Sequence, residues 1–262
     1  MALLQFGYYS HALKKTAQLT VLLPENDKAK GEPGLSGMRK YKTLYLLHGL
    51  SGDHTDWMRK TSIERYADKY KIAVVMPDVG RSWYTDTAYG AKYLTFITEE
   101  LPKVCRGYFK GMSAKPEDNI VIGLSMGGYG ALKAALSHPG QYGYCASLSG
   151  SLDITREGRN QMPDEWRAIF DFTQKDASEL KGTDHDLFAL VKKRAAEKAP
   201  FPKLYLWCGS DDVCVRKNRE IHVLLDSLSI PHLFEESEGD HSWKWWDLHI
   251  QDALSYLLGR KK

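Results

Sequence analysis

Short runs that are apolar at every position, separated by longer stretches of helical period, constrain this chain more than any other feature. Ile72-Ala73-Val74-Val75-Met76 offers no polar face, so a strand built from it must be covered on both sides. Comparable β-rich runs are predicted at 3–8, 17–23, 43–47, 120–122, 144–148, 204–207 and 232–236. Helical patterns lie between them at 63–70, 91–109, 126–137, 216–228 and 243–258. Strand–helix alternation of this kind predicts an α/β protein: a mostly parallel, doubly wound, eight-stranded sheet with helices on both faces and right-handed crossovers.

Two segments break the alternation. Residues 24–42 are rich in Gly, Lys, Glu and Pro and read as an exposed loop. Residues 150–203 separate two predicted strands by more than a crossover needs. Helical pieces around 165–172 and 187–198 make them a partly helical insertion before the seventh strand. Ligands of open α/β sheets bind beyond the carboxyl ends of the strands, so this insertion could wall such a site. The whole chain, 1–262, is expected to form one domain with that insertion.

Composition removes several function classes. There are 36 basic and 33 acidic side chains, a net charge of +3, which is too small for a nucleic-acid footprint. The basic triplets at 192–194 and 260–262 read as solvated surface. Four cysteines, at 105, 145, 208 and 214, contain no CxxC pair and are too scattered for a disulfide scaffold. Residues 1–10 lack the charged start of a secretion signal, and no stretch reaches the ~18 apolar residues of a membrane span. The expectation is a soluble, cytoplasmic protein without membrane or nucleic-acid partners; a homo-oligomer is compatible with this composition.

Within this frame the most informative stretch is Asn119-Ile120-Val121-Ile122-Gly123-Leu124-Ser125-Met126-Gly127-Gly128. It reads as a β-branched strand, a G-x-S-x-G turn and the start of a helix. Glycines on either side of a serine permit the sharp turn that exposes its hydroxyl, and the following helix aims N–H groups at the reacting oxygen. A passive glycine-rich turn would show the bare pattern, but not flanked by a strand and a helix.

A serine hydroxyl needs a base, and the base an orienting acid. In this architecture they follow in the order serine, acid, histidine. Beyond the run 204–207 comes Cys208-Gly209-Ser210-Asp211-Asp212. Asp212 completes G-x-x-D and is preferred; Asp211 is the alternative, and either could instead cap the next helix. Of nine histidines, His241 follows the last predicted strand, in the loop Glu238-Gly239-Asp240-His241-Ser242-Trp243. His48 precedes the serine and reads as structural, bonded to loop backbone. The oxyanion donors expected are the backbone N–H groups of Met126, directly after the serine, and of Leu50, in the loop His48-Gly49-Leu50-Ser51-Gly52.

Trp57, Trp83 and Trp243 fall in loops near this edge and could line an acyl pocket, with ordinary core packing the competing reading. Trp166, Phe170 and Phe172 in the insertion read as packing. The scheme needs no cofactor and no metal. A metal-dependent alternative would have to draw on Asp240, His241, Asp247 and His249, whose spacing matches no standard site.

With these residues in place, the sequence resembles the esterase D-like branch of α/β hydrolases, which includes tributyrin esterases, S-formylglutathione hydrolases and the carbohydrate esterases of family 1. The matching stretches are 46–52 with Trp57, 123–131, Cys208-Gly209 with Asp212, and 239–243 with Trp246. The resemblance implies an α/β-hydrolase fold, Ser125 as nucleophile, Asp212 as orienting acid, His241 as general base, and Leu50 and Met126 as oxyanion donors. It implies a serine carboxylesterase of short-chain acyl esters, with feruloyl or acetylxylan esterase and S-formylglutathione thioesterase as alternatives. The substrate expected is a small-molecule or carbohydrate-linked ester.

Overall fold

The computed structural model describes residues 1–25, 40–155, 163–170 and 177–259. Eight strands form one sheet: β1 (Ala2–Ser10), β2 (Lys15–Leu23), β3 (Thr43–Leu47), β4 (Ala73–Pro77), β5 (Asn119–Leu124), β6 (Tyr144–Leu148), β7 (Lys203–Gly209) and β8 (His232–Ser237). Their order is β1-β2-β4-β3-β5-β6-β7-β8. β1 and β2 form an antiparallel hairpin, and β2 pairs antiparallel with β4. From β4 to β8 every pairing is parallel, which sends the carboxyl ends of these strands to one edge.

The described helices are α1 (Asp56–Lys60), α2 (Ile63–Tyr70), α3 (Tyr93–Thr95), α4 (Leu101–Tyr108), α5 (Met126–Ser137), α6 (Pro163–Phe170), α7 (Leu187–Ala196), α8 (Val215–Ser227) and α9 (Trp243–Leu258). The uniformly apolar strands are explained by two cores, one on each face of the sheet. Tyr45, Leu47, Val121, Leu204 and Leu206 meet residues of α4, α5, α7 and α8. Their alternating neighbours Leu44, Leu46, Ile120, Ile122, Tyr205 and Trp207 meet α2 and α9. Burying a Leu, Ile or Val this fully contributes roughly 1.5–3 kcal/mol each, so the two faces together hold the sheet between its helical layers.

The expected strands all form, with shifted ends. Ile72 is the instructive difference: the apolar run predicts that it opens β4, yet its N–H closes the α2 terminus on Ala67 O, after Lys71 turns left-handed at φ 51°. The helix expected over 91–109 is present as α3 and α4 joined by a π-helical turn, Phe96–Glu100. There Leu101 N–H reaches back five residues to Phe96 O, one position before Pro102, which has no N–H to continue the ladder. In the insertion, α6 and α7 account for both expected helical pieces, while Phe172 lies outside the described residues. So do most of the loop expected over 24–42 and the basic triplet at 260–262.

Candidate active site

Strand register builds the site. The ends of β3, β5, β6 and β7 are aligned through the pairs Leu47↔Gly123, Leu124↔Leu148 and Leu148↔Trp207, and Gly209 pairs with Ser237 of β8. The loops leaving these five strands therefore emerge side by side. They carry Leu50, Ser125, Ser149, Asp212 and His241.

Ser125 occupies the turn between β5 and α5 with φ 53° and ψ −120°, a conformation that costs an ordinary L-residue of order 1–3 kcal/mol. Its N–H is held by Leu148 O at 3.0 Å, and its carbonyl accepts from Gly128 and Tyr129 N–H. The motif glycines are needed because the chain folds back on itself here. A Cβ on Gly123 would collide with the Gly127 carbonyl, and one on Gly127 would lie 2.5 Å from Leu47 O and 2.6 Å from His48 O. Both obstacles are backbone and cannot swing aside.

His241 lies between the other two groups. Its Nε2 is 2.9 Å from Ser125 Oγ, and its Nδ1 is 3.0 Å from each oxygen of Asp212. A carboxylate can only accept, so Nδ1 carries the proton and Nε2 is left to accept from the serine. Asp211 is exposed and its N–H goes to Gly239 O; of the two candidate acids, only Asp212 meets His241. The Asp212 side chain is sealed from solvent, while 29% of the His241 side chain is exposed.

Burial pushes the Asp212 carboxyl up, but hydrogen bonds from His241, Cys214 N–H and the Ser149 hydroxyl outweigh it and hold the group below its ordinary range. The Cys214 contact is 2.7 Å. Ser149 is itself buried, at φ 50°, and accepts the Trp246 indole N–H at 3.0 Å. Trp246 then sets its ring edge-to-face against His241, centroids 5.0 Å apart at 88°. Ser149 and Trp246 thus brace the acid and the imidazole together. Trp246 was part of the matched motif, but nothing in the sequence marked Ser149.

On the opposite side, Gly49 abuts the serine, since a Cβ there would lie 3.6 Å from Ser125 Cβ. Leu50, partly exposed, follows it, and Met126 opens α5. His48 is bound on both ring nitrogens: Nδ1 donates to Gly49 O at 2.7 Å, and Nε2 accepts from Val79 N–H at 3.1 Å. Burial lowers its pKa, so it stays neutral and shapes the loop. Tyr84, fully buried, ties its hydroxyl to His48 O at 2.9 Å and was not anticipated.

The pocket expectation needs correction at two tryptophans. Trp57 is 1% exposed and its indole N–H bonds Leu47 O; it is core beneath the β3 loop. Trp83 is 4% exposed and wedged between the rings of Tyr129 and Trp166. Trp243 keeps exposed surface, with Lys60 over its ring. The residues weighed as a metal set are dispersed: Asp247 takes Ser62 N–H and Tyr66 OH, while His249 stacks on Trp207 and pairs with Asp252.

The family model described as "Putative esterase" matches residues 10–257. The chain belongs to this esterase family. The esterase is 33% identical, over 98% of both chains, to an acetyl esterase of Caldicellulosiruptor saccharolyticus. Among solved structures it is similar to an S-formylglutathione hydrolase of Staphylococcus aureus, with 35% identity, 98% of each chain covered and a TM-score of 0.86. It is also similar to fluorophosphonate-binding serine hydrolase F of the same organism, with 34% identity, 99% of each chain covered and a TM-score of 0.88. The esterase has the α/β-hydrolase fold and is a carboxylic ester hydrolase of the serine type. No helix among its described residues is long and apolar enough to cross a membrane.

Proposed function

We propose that the esterase hydrolyses esters of short acyl groups through a covalent intermediate on Ser125. One observation carries this reading: the unbroken hydrogen-bond chain Ser125–His241–Asp212 at a strained turn on the carboxyl edge of the sheet. Ser125 Oγ attacks the ester carbonyl as its proton passes to His241 Nε2. Asp212, held ionised, fixes the Nδ1–H tautomer and stabilises the imidazolium that forms. The N–H groups of Leu50 and Met126 receive the oxyanion, assisted by the positive end of α5. His241 then protonates the departing alkoxide. In the second half, water gives its proton to Nε2, its hydroxide adds to the acyl carbon, and the carboxylic acid leaves as Ser125 recovers its proton.

Small acyl groups are favoured because the full-length relatives named for their substrates act on acetyl and S-formyl groups. Of the three tryptophans considered for the pocket, Trp243 is the one with surface left to meet substrate, and α6 of the insertion is tied to the loop after β4. Arg81 pairs with Glu165 of α6, and Trp166 packs on Trp83. The four cysteines are buried thiols rather than disulfides, which suits a reducing, cytoplasmic compartment.

The test is a panel of p-nitrophenyl acetate, butyrate and octanoate with methyl ferulate, acetylated xylan and S-formylglutathione. A kcat/KM for acetate or butyrate at least ~10-fold above octanoate supports the proposal, and a preference for octanoate contradicts it. The similarity to the S-formylglutathione hydrolase supports a second reading, which wins if that thioester is turned over faster than any oxygen ester.

A further inference from the structure

Helix α8 and strand β8 hold a second group of convergent side chains, far from Ser125. His222 and Asp226 are one turn apart on α8, and His232 is the first residue of β8, at the amino end of a strand whose carboxyl end leads to His241. His222 Nδ1 is 2.8 Å from His232 Nε2. An Asp226 oxygen is 3.4 Å from His222 Nε2, and the other is 3.9 Å from His232 Nε2. One ligand atom from each residue falls within 4.8 Å of the others.

The hydrogen bonding of His232 shows what this group is suited to hold. Its Nδ1 is 2.8 Å from Ile230 O, and a carbonyl only accepts, so Nδ1 is the protonated nitrogen. The Nε2 lone pair is thereby aimed at His222 and Asp226. A ring nitrogen fixed through its partner's bond to a backbone carbonyl is the usual support of a metal-bound histidine. The His232 side chain is only 3% exposed, and His222 is stacked on Phe234 at 4.8 Å, so both rings are set before any ligand arrives. Asp226, 63% exposed, leaves an open side for entry and for a water as fourth ligand.

We propose that His222, Asp226 and His232 bind one divalent ion of intermediate softness, with Zn²⁺ the best match, and that the ion staples α8 to the edge strand β8. Two imidazoles and a carboxylate suit zinc in donor type. Bonds of ~2.0–2.1 Å at tetrahedral angles need the ring nitrogens ~3.3 Å apart, an opening of about half an ångström from their present separation.

The experiment is a calorimetric titration of the full-length esterase with ZnCl₂ alone, paired with thermal melting. Wild type should bind one ion and melt about 5 °C higher at a hundredfold excess over Kd. His232→Asn replaces the Nδ1 donor to Ile230 with an amide and deletes Nε2, while Asp226→Asn changes an exposed group that cannot compromise folding. Each should weaken Zn²⁺ at least ~10-fold, with ester turnover in zinc-free buffer unchanged. Absence of binding by wild type at 100-fold over a micromolar Kd (about 0.1 mM) overturns the proposal. So does unchanged affinity in Asp226→Asn, or binding that inhibits turnover in every variant, which would assign the ion to Asp212, Cys214 and His241.

Discussion

Asp212 receives hydrogen bonds from an imidazole, a backbone N–H and a hydroxyl, and in the proposed mechanism it is the residue that orients His241. Asp212→Asn keeps the shape but lets the amide donate to His241, favouring the wrong tautomer, and should lower kcat by about 10³–10⁴-fold with KM little changed. Ser149→Ala removes one of those bonds and orphans the buried Trp246 N–H. It should cost about 1–3 kcal/mol in urea denaturation and lower kcat, because Asp212 loses a contact that holds its charge and orientation against His241. A kcat unchanged in the folded variant would reduce Ser149 to packing. Ser125 and His241 are legible in sequence because glycine spacing and chain order single them out. Asp211 and Asp212 are not separable there, being neighbours in one turn. What separates them is the bond from Asp212 N–H to Gly209 O and that from Asp211 N–H to Gly239 O, set by β7–β8 pairing. Ser149 is invisible to sequence because its role depends on Trp246, 97 residues away.

At the scale of elements, α5 is held at its first turn and again at Lys133. Its first turn is pressed on the β3 carbonyls, so Gly127→Ala should destabilise by about 1–3 kcal/mol and displace the Leu50 loop, read as a fall in both the urea midpoint and kcat. Two turns on, Lys133 is buried and bonds Thr85 Oγ1, Tyr129 OH at 3.2 Å and His185 Nδ1 at 2.8 Å. It thereby joins α5 to the insertion, whose His185 carbonyl accepts from Tyr129 OH. Burial lowers the Lys133 pKa to about 7 from 10.5, and burial with the Lys133 charge takes His185 to about 3. Between pH 7 and 10.5 the unfolded chain keeps a proton on Lys133 that the folded chain has released, so this group makes stability rise with pH across that window. From pH 7 to 9 the gain should be about 2 kcal/mol, and Lys133→Met should abolish it in paired urea titrations. An equal pH response in both proteins would mean Lys133 titrates normally. The sequence displays Lys133 as one more polar residue on a helix, because nothing local reveals that the insertion covers it.

For the whole molecule, the order of parallel strands brings five loops to one edge, and the apolar runs foretell that arrangement because only a doubly covered sheet can bury them. Shifted ends arise where side contacts intervene, as at Ile72 and Pro102. A net charge of +3 provides little steering, so kcat/KM for an uncharged ester should change less than about twofold between 0.05 and 0.5 M NaCl; a steep salt dependence would point to a charged substrate. The central claim is that Ser125 forms the covalent bond, and intact-mass measurement after fluorophosphonate treatment tests it most directly. The account predicts one adduct on wild type, mapped to Ser125, with none on Ser125→Ala and slow labelling of His241→Ala. Labelling of a folded Ser125→Ala variant to the same extent, or a wild-type adduct on any other residue, would contradict it.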